Sequence, residues 1–175
     1  TEKVGALKAA GLKRVNVSID SLNPEKFKLM TKRGDVSKVL EGIFAAKSHD
    51  LDPIKLNAVI EKGLNEDDIL SLVEFSRDNG FAMRFIEYMD VGNSNGWRLD
   101  DVVTADEILA SIHAAFPLAP IAPNYPGEVA NRFRYLDGTG EVGVIASVTK
   151  PFAARADLEA KNMLQVAHCV AEAAL

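Results

Sequence analysis

The sequence predicts an α/β fold, with parallel strands gathered into one sheet and helices between them. Three observations predict it. Residues 13–20, 54–59 and 83–87 alternate apolar and short polar or charged residues at the period of a strand. Helical patterns separate the three, as parallel neighbours require. Each stretch also keeps polar groups on one face: Asn16, Ser18 and Asp20 on the first, Lys55 and Asn57 on the second, Arg84 on the third. A parallel strand covered on both faces is normally apolar throughout. An unpaired buried amide or hydroxyl costs roughly 1–3 kcal/mol, and an unpaired charge more. Rows of this kind persist together most easily around a wet pocket.

In chain order, residues 2–10 read as a helix, with Gly11 placed to cap it. The first strand covers about 13–20, with Val15, Val17 and Ile19 on its apolar face. Asn23 caps and Pro24 starts a helix over 24–31, because proline suits the first helical position. Asp35 or Ser37 caps a helix over 36–48, whose Val36, Val39, Leu40, Ile43 and Phe44 have helical spacing. The second strand spans about 53–60. Asn65 is placed to cap the next helix, whose first turn holds Glu66, Asp67 and Asp68 and which Gly80 ends. The third strand covers about 81–88 and leads into the loop Asp90-Val91-Gly92-Asn93-Ser94-Asn95-Gly96-Trp97. Thr104-Ala105-Asp106-Glu107 is a capping box for a helix to about 115. Residues 117–126 carry four prolines and read as irregular. Residues 132–136 and 142–146 read as a hairpin turning through Asp137-Gly138-Thr139-Gly140. Residues 157–174 form an alanine-rich helical pattern. The parts divide at about residue 116: 1–116 as three βα units, 117–175 as an extension with hairpin and helix.

A chain of 175 residues can bury a sizeable core as one domain. Its net charge of −5 lacks an offsetting basic stretch and speaks against nucleic-acid binding. No apolar run of about 18 residues predicts a membrane span. Thr1-Glu2-Lys3 does not read as a signal peptide, and the single cysteine, Cys169, fits a reducing cytoplasm. One cysteine also excludes a cysteine-ligated iron–sulfur or zinc site built from this chain alone.

Ligands of parallel α/β sheets bind beyond the C-terminal strand ends. Ser18, Asp20, Asn57, Glu87, Met89 and Asp90 lie at or near those ends, and Lys55 and Arg84 can reach the rim. Two cations in a partly dry cavity attract phosphate or carboxylate, and arginine can grip it with two parallel hydrogen bonds. Equally, the two cations can pair internally with Asp20, Glu87 or Asp90. Met89 either fills the core or lies against a flat ring. Ser18 has no histidine near it in sequence, which fits a hydroxyl bonded to backbone better than a nucleophile. His49, His113 and His168 stand alone in helical patterns with no metal-ligand spacing. Gly92-Asn93-Ser94-Asn95-Gly96 matches no phosphate-loop signature.

The run Gly11-Leu12-Lys13-Arg14-Val15-Asn16-Val17-Ser18-Ile19-Asp20-Ser21-Leu22 resembles the middle of the radical S-adenosylmethionine (SAM) GTP cyclases that begin molybdenum-cofactor synthesis. The similarity continues through Lys55-Leu56-Asn57-Ala58-Val59, Gly63-Leu64-Asn65-Glu66-Asp67-Asp68, Arg84-Phe85-Ile86-Glu87-Tyr88-Met89, Gly92-Asn93 with Trp97, and Val148-Thr149-Lys150-Pro151-Phe152. It implies an incomplete TIM-type barrel with an open lumen. It implies SAM contacts at Ser18 and Met89 and GTP contacts at Lys55 and Arg84. It also implies two 4Fe-4S clusters as family cofactors: one reduces SAM to a radical that attacks the GTP ribose, the other binds the purine.

The chain departs from the family in two places. The Cys-x3-Cys-x2-Cys loop of the first cluster is missing. Past Phe152, Ala153 and Ala156 stand at two cysteine positions and Leu158 and Ala160 at two arginine positions; the third cysteine falls on Val170, one residue past Cys169. The expectation is therefore a chain that is inactive alone, binds at most GTP and SAM, touches neither nucleic acid nor membrane, and forms homo-oligomers through exposed sheet edges. The alternatives are a non-catalytic interaction or dimerisation module, and an iron-free barrel enzyme acting on a phosphorylated small molecule.

Overall fold

A computed structural model of the chain describes residues 3–89 and 102–149. Its elements are α1 (Val4–Ala9), β1 (Val15–Ser18), α2 (Pro24–Thr31), α3 (Val36–Ser48), β2 (Ile54–Ile60), a 3-10 turn (Glu66–Asp68), α4 (Ile69–Asn79), β3 (Ala82–Glu87), α5 (Ala105–Ala115), β4 (Leu118–Ile121), β5 (Asn131–Tyr135) and β6 (Glu141–Ile145). The expected loop at 90–97, the tail from Lys150, its helical pattern over 157–174, and His168 and Cys169 lie outside the described residues.

The helix starts follow the local chemistry read from the sequence. Asn23 Oδ1 accepts the backbone N–H groups of Glu25 and Lys26 at 2.9 and 3.2 Å, with Pro24 opening α2. Asp35 caps α3 through Ser37 N–H at 3.0 Å. Thr104 and Glu107 form the expected capping box. Gly80, at φ 71°, closes α4 in the left-handed region that glycine enters without strain.

The six strands form one sheet in the order β1-β2-β3-β6-β5-β4. β1, β2, β3 and β6 run parallel, and β5 and β4 extend the sheet antiparallel. The alternation within β2 and β3 is what the sequence predicts. Leu56, Ala58, Ile60, Met83 and Phe85 are fully buried and share one core with Ile43 of α3, Leu72 and Val73 of α4, and Ile108 and Ile112 of α5. Lys55, Asn57, Arg84 and Ile86 occupy the opposite, half-open face.

Three expectations need correction. The proline-rich stretch is not irregular throughout, because Leu118–Ile121 forms β4 against β5. Pro120 fits there because β4 is an edge strand, where a missing N–H leaves no ladder bond unmade. Asn65 does not cap the helix that follows. It is fully buried, and its amide accepts the N–H of Glu61 at 2.9 Å and donates to the carbonyls of Asp20 and Val59 at 2.7 and 2.9 Å. A side chain that ties the ends of two strands satisfies more polar groups than a local cap. Finally, Glu87 does not belong to the polar rim; it lies on the core face of β3, 1 % exposed.

Candidate functional site

The open face is built by register. Ser18 stands beside Asn57, Asn57 beside Arg84, Arg84 beside Gly143, and Gly143 beside Arg132. Paired residues on adjacent strands point the same way at a spacing of about 4.8 Å. Ser18, Asn57 and Arg84 therefore form one row about 10 Å long, and Lys55 lies two residues earlier on the same face of β2. The absence of a side chain at Gly143 leaves Arg84 room: a Cβ there would lie 3.4 Å from Arg84 Cγ. Met89, half-buried, follows two residues after β3. The structure thus brings Ser18, Lys55 and Arg84 to one face and sets Met89 just beyond the end of the central strand.

The two cations are not neutralised by the carboxylates that looked nearest in sequence. Asp20 Oδ1 accepts the N–H of Val59 at 2.8 Å, extending the ladder past the end of β1, and burial raises its pKa. Glu87 is turned away, and Asp90 is not among the described residues. Among the described residues neither Lys55 nor Arg84 forms a salt bridge. Burial, followed by the neighbouring Arg84 charge, lowers the pKa of Lys55; burial is also the main cause lowering that of Arg84. The acids that face them at longer range are Glu128 and Glu141. Both also lie against Arg132: Glu141 accepts a hydrogen bond from its guanidinium, and Glu128 Oε2 stands 3.9 Å from Nε. The face can therefore receive an anion at Lys55 and Arg84 beside an acid–arginine network on β5 and β6. Arg132 alternates with Phe133 and Arg134 with Tyr135, so the period of β5 carried a signal for this part of the face.

One more polar atom stands out. Asn57 Oδ1 is buried and has no hydrogen-bond partner among the described residues.

The helical side of the sheet differs. A cavity of about 280 Å³ between α1, β1 and α3 is lined by apolar side chains, among them Leu7, Leu12, Val17 and Ile43. It holds none of the residues to which the sequence assigns chemistry. His49 Nδ1 lies 2.8 Å from the carbonyl of Ala45, and His113 Nδ1 accepts the N–H of Leu118 at 3.1 Å; both are structural.

Residues 1–76 match the Radical SAM superfamily and residues 81–157 match Molybdenum Cofactor Synthesis C. The chain is 59% identical over 147 residues to a GTP 3',8-cyclase of Acidothermus cellulolyticus, covering 83% of this chain and 41% of that protein. It is 49% identical over 148 residues to the GTP 3',8-cyclase of Xanthomonas campestris pv. campestris strain B100, covering 84% and 44%. It is 40% identical over 151 residues to GTP 3',8-cyclase 3 of Mycobacterium bovis, covering 86% and 40%. The chain belongs to the radical SAM family of the GTP 3',8-cyclases. It spans less than half the length of these relatives.

The residues present do not fit an iron–sulfur cluster. The sequence holds one cysteine, and among the described residues no group of three His, Cys, Asp or Glu side chains is placed to hold a metal. Cluster ligands therefore do not come from this chain. Among the described residues no helix is long and apolar enough to cross a membrane.

Proposed function

We propose that the open face of the sheet is a nucleotide site, and that the chain is a central-to-C-terminal part of a cyclase acting in molybdenum cofactor biosynthesis on GTP and SAM. The observation that carries this reading is the row Ser18–Asn57–Arg84 with Lys55 on the same face and no salt bridge to either cation among the described residues. Lys55 and Arg84 take the triphosphate of GTP, because an anion relieves the repulsion between two partly dehydrated cations. Ser18 and Met89 contact SAM, the serine at the end of β1 and the thioether against a flat ring beyond β3. The four parallel strands, backed by helices on one face, are read as part of an incomplete TIM-type barrel whose lumen is the polar face. The partition into 1–116 and 117–175 is also a proposal, tested by limited proteolysis between α5 and β4.

Within this reading the chain binds but does not turn over, since it supplies no cluster ligands, and it is a cytoplasmic homo-oligomer joined through its open sheet edges. Titration calorimetry tests the site. GTP binds the wild-type chain, and Lys55→Ala and Arg84→Ala each weaken it at least tenfold, about 1.4 kcal/mol. GTP binding that survives both substitutions refutes the assignment. Iron bound stoichiometrically by the isolated chain, or cyclic pterin formed by it, refutes the inactivity. Sedimentation velocity decides the oligomer.

A further inference from the structure

Asn57 stands between the two ends of the polar row. Ser18 flanks it on β1 and Arg84 on β3, all three on one face. Its Oδ1 is buried and accepts nothing from the described residues. This differs from Asn65, the other half of the same comparison, whose amide is saturated by Asp20, Val59 and Glu61. Buried amides without a partner are rare because each forfeits a hydrogen bond that water would have supplied. Asn57 is the member of the row whose hydrogen-bonding capacity nothing within the described fold uses.

We infer that Asn57 is a specificity-determining residue that hydrogen-bonds a ribose hydroxyl of the bound nucleotide. The chemistry narrows the ligand group. A phosphate oxygen has no proton to give to Oδ1, and the adjacent Arg84 and Lys55 are the better phosphate ligands. The missing partner must be a donor from the uncharged part of the ligand. A hydroxyl serves best, because it both donates and accepts and so satisfies the amide in either of its two flipped orientations. With the triphosphate drawn to Arg84, the sugar comes next along the molecule. The row of Ser18, Asn57 and Arg84 is about 10 Å long, which matches a ribose and its first phosphates lying across three strands. The ribose can be that of GTP or the adenosyl ribose of SAM; the hydroxyl chemistry is shared.

This inference rests on the reading of the face as a nucleotide site, and the test separates the two. The probes are GTP, 2′-deoxy-GTP, 3′-deoxy-GTP and SAM, titrated into the full 175-residue chain and its Asn57→Leu, Asn57→Ala and Asn57→Asp variants. Leucine is close to asparagine in size and carries no polar atom. It should leave the melting temperature of the free protein equal or higher, since an unsatisfied buried atom is removed. If the hydroxyl belongs to GTP, wild type prefers GTP over one deoxy analogue about tenfold, and Asn57→Leu abolishes that preference. If it belongs to SAM, the same variant weakens SAM about tenfold and leaves the GTP series unchanged. Asn57→Ala repeats either pattern should leucine fail to fold. Asn57→Asp weakens GTP further, because it sets a negative charge beside the phosphate site. The inference is overturned if wild type and Asn57→Leu show the same affinities for all four probes. It fails alone if GTP still depends on Arg84; it fails together with the nucleotide reading if wild type binds neither GTP nor SAM.

Discussion

Glu87 stands three residues beyond Arg84 on β3, so the pleat sends the two side chains to opposite faces. Its carboxylate is buried and accepts four hydrogen bonds: from the N–H of Ala105 at 2.7 Å, the N–H groups of Val148 and Thr149 at 2.8 and 3.0 Å, and the hydroxyl of Thr149 at 2.5 Å. One side chain thus joins the end of β3, the start of α5 and the segment after β6. Burial pushes its pKa up, but the bonds from Thr149, Val148 and Ala105 outweigh burial and hold it below the ordinary glutamate value of 4.5. Glu87→Gln turns an NH2 group toward donors and should lower stability by about 3 kcal/mol at pH 7. A carboxyl whose folded pKa is depressed contributes above its unfolded value and loses that contribution as pH falls through the folded one. The gap between wild type and Glu87→Gln should therefore narrow below pH 4.5, as urea midpoints at pH 7 and at progressively lower pH will show. Equal gaps at every pH contradict the ionised clamp. The positions of Ser18, Lys55 and Arg84 were legible because alternation is a local signal. The same alternation places Glu87 with Met83 and Phe85, but its charge drew it to the rim in the reading of the sequence. Asn65 was illegible for another reason: its three partners come from Glu61, Val59 and Asp20, and Asp20 is 45 residues away.

At the scale of elements, β4 was hidden by its prolines, since no local pattern reveals an edge strand whose partner is still to come in the chain. The hairpin that pairs with it was legible from the turn Asp137-Gly138-Thr139-Gly140, where Asp137 accepts the N–H and hydroxyl of Thr139 at 3.0 and 2.7 Å. The join between this hairpin and the helices was not. Arg77 of α4 stacks on Phe116 and Tyr135, 4.2 and 4.4 Å from their ring centroids, and reaches Asp137 at 2.5 Å. Tyr135 of β5 is 2 % exposed, and its hydroxyl has no partner among the described residues. Burial raises its pKa from 10.0 to about 12. Tyr135→Phe removes the unsatisfied hydroxyl while keeping the stacking, so it should be neutral or stabilising by about 1 kcal/mol. A group with a raised folded pKa supports the fold fully below its unfolded value and loses that support as pH rises through the folded one. Wild type should therefore lose stability between pH 10 and about 12, and Tyr135→Phe should lose less over that window in denaturant titrations. A phenylalanine variant that is strongly destabilised at pH 7 would show that the hydroxyl has a partner in solution.

At the scale of the molecule, one face of the sheet carries the stability and the other carries the site. The core face is continuous from Leu56 through Phe85 to Val144, all fully buried. The opposite face keeps two partly buried cations without a salt bridge among the described residues, together with an orphan amide oxygen. Each of these lowers the stability of the free protein and raises its affinity for an anionic, hydroxyl-bearing ligand. Ligand binding and folding are then linked quantitatively. GTP at a hundred times its dissociation constant should stabilise the chain by about 2.7 kcal/mol, which is a rise of several degrees in melting temperature for a chain of this size. Lys55→Met removes one of two cations that repel each other, so the free variant should melt at or above wild type while its response to GTP disappears. The same lysine titrates below the ordinary 10.5 because burial and Arg84 disfavour its charge, so GTP affinity should fall with rising pH before that value is reached. Melting curves of wild type and Lys55→Met, with and without GTP, at pH 7 and 9.5, decide it. A lysine variant that melts lower than wild type in the absence of nucleotide, yet still rises with GTP, would mean that Lys55 holds the sheet together and that the triphosphate sits elsewhere.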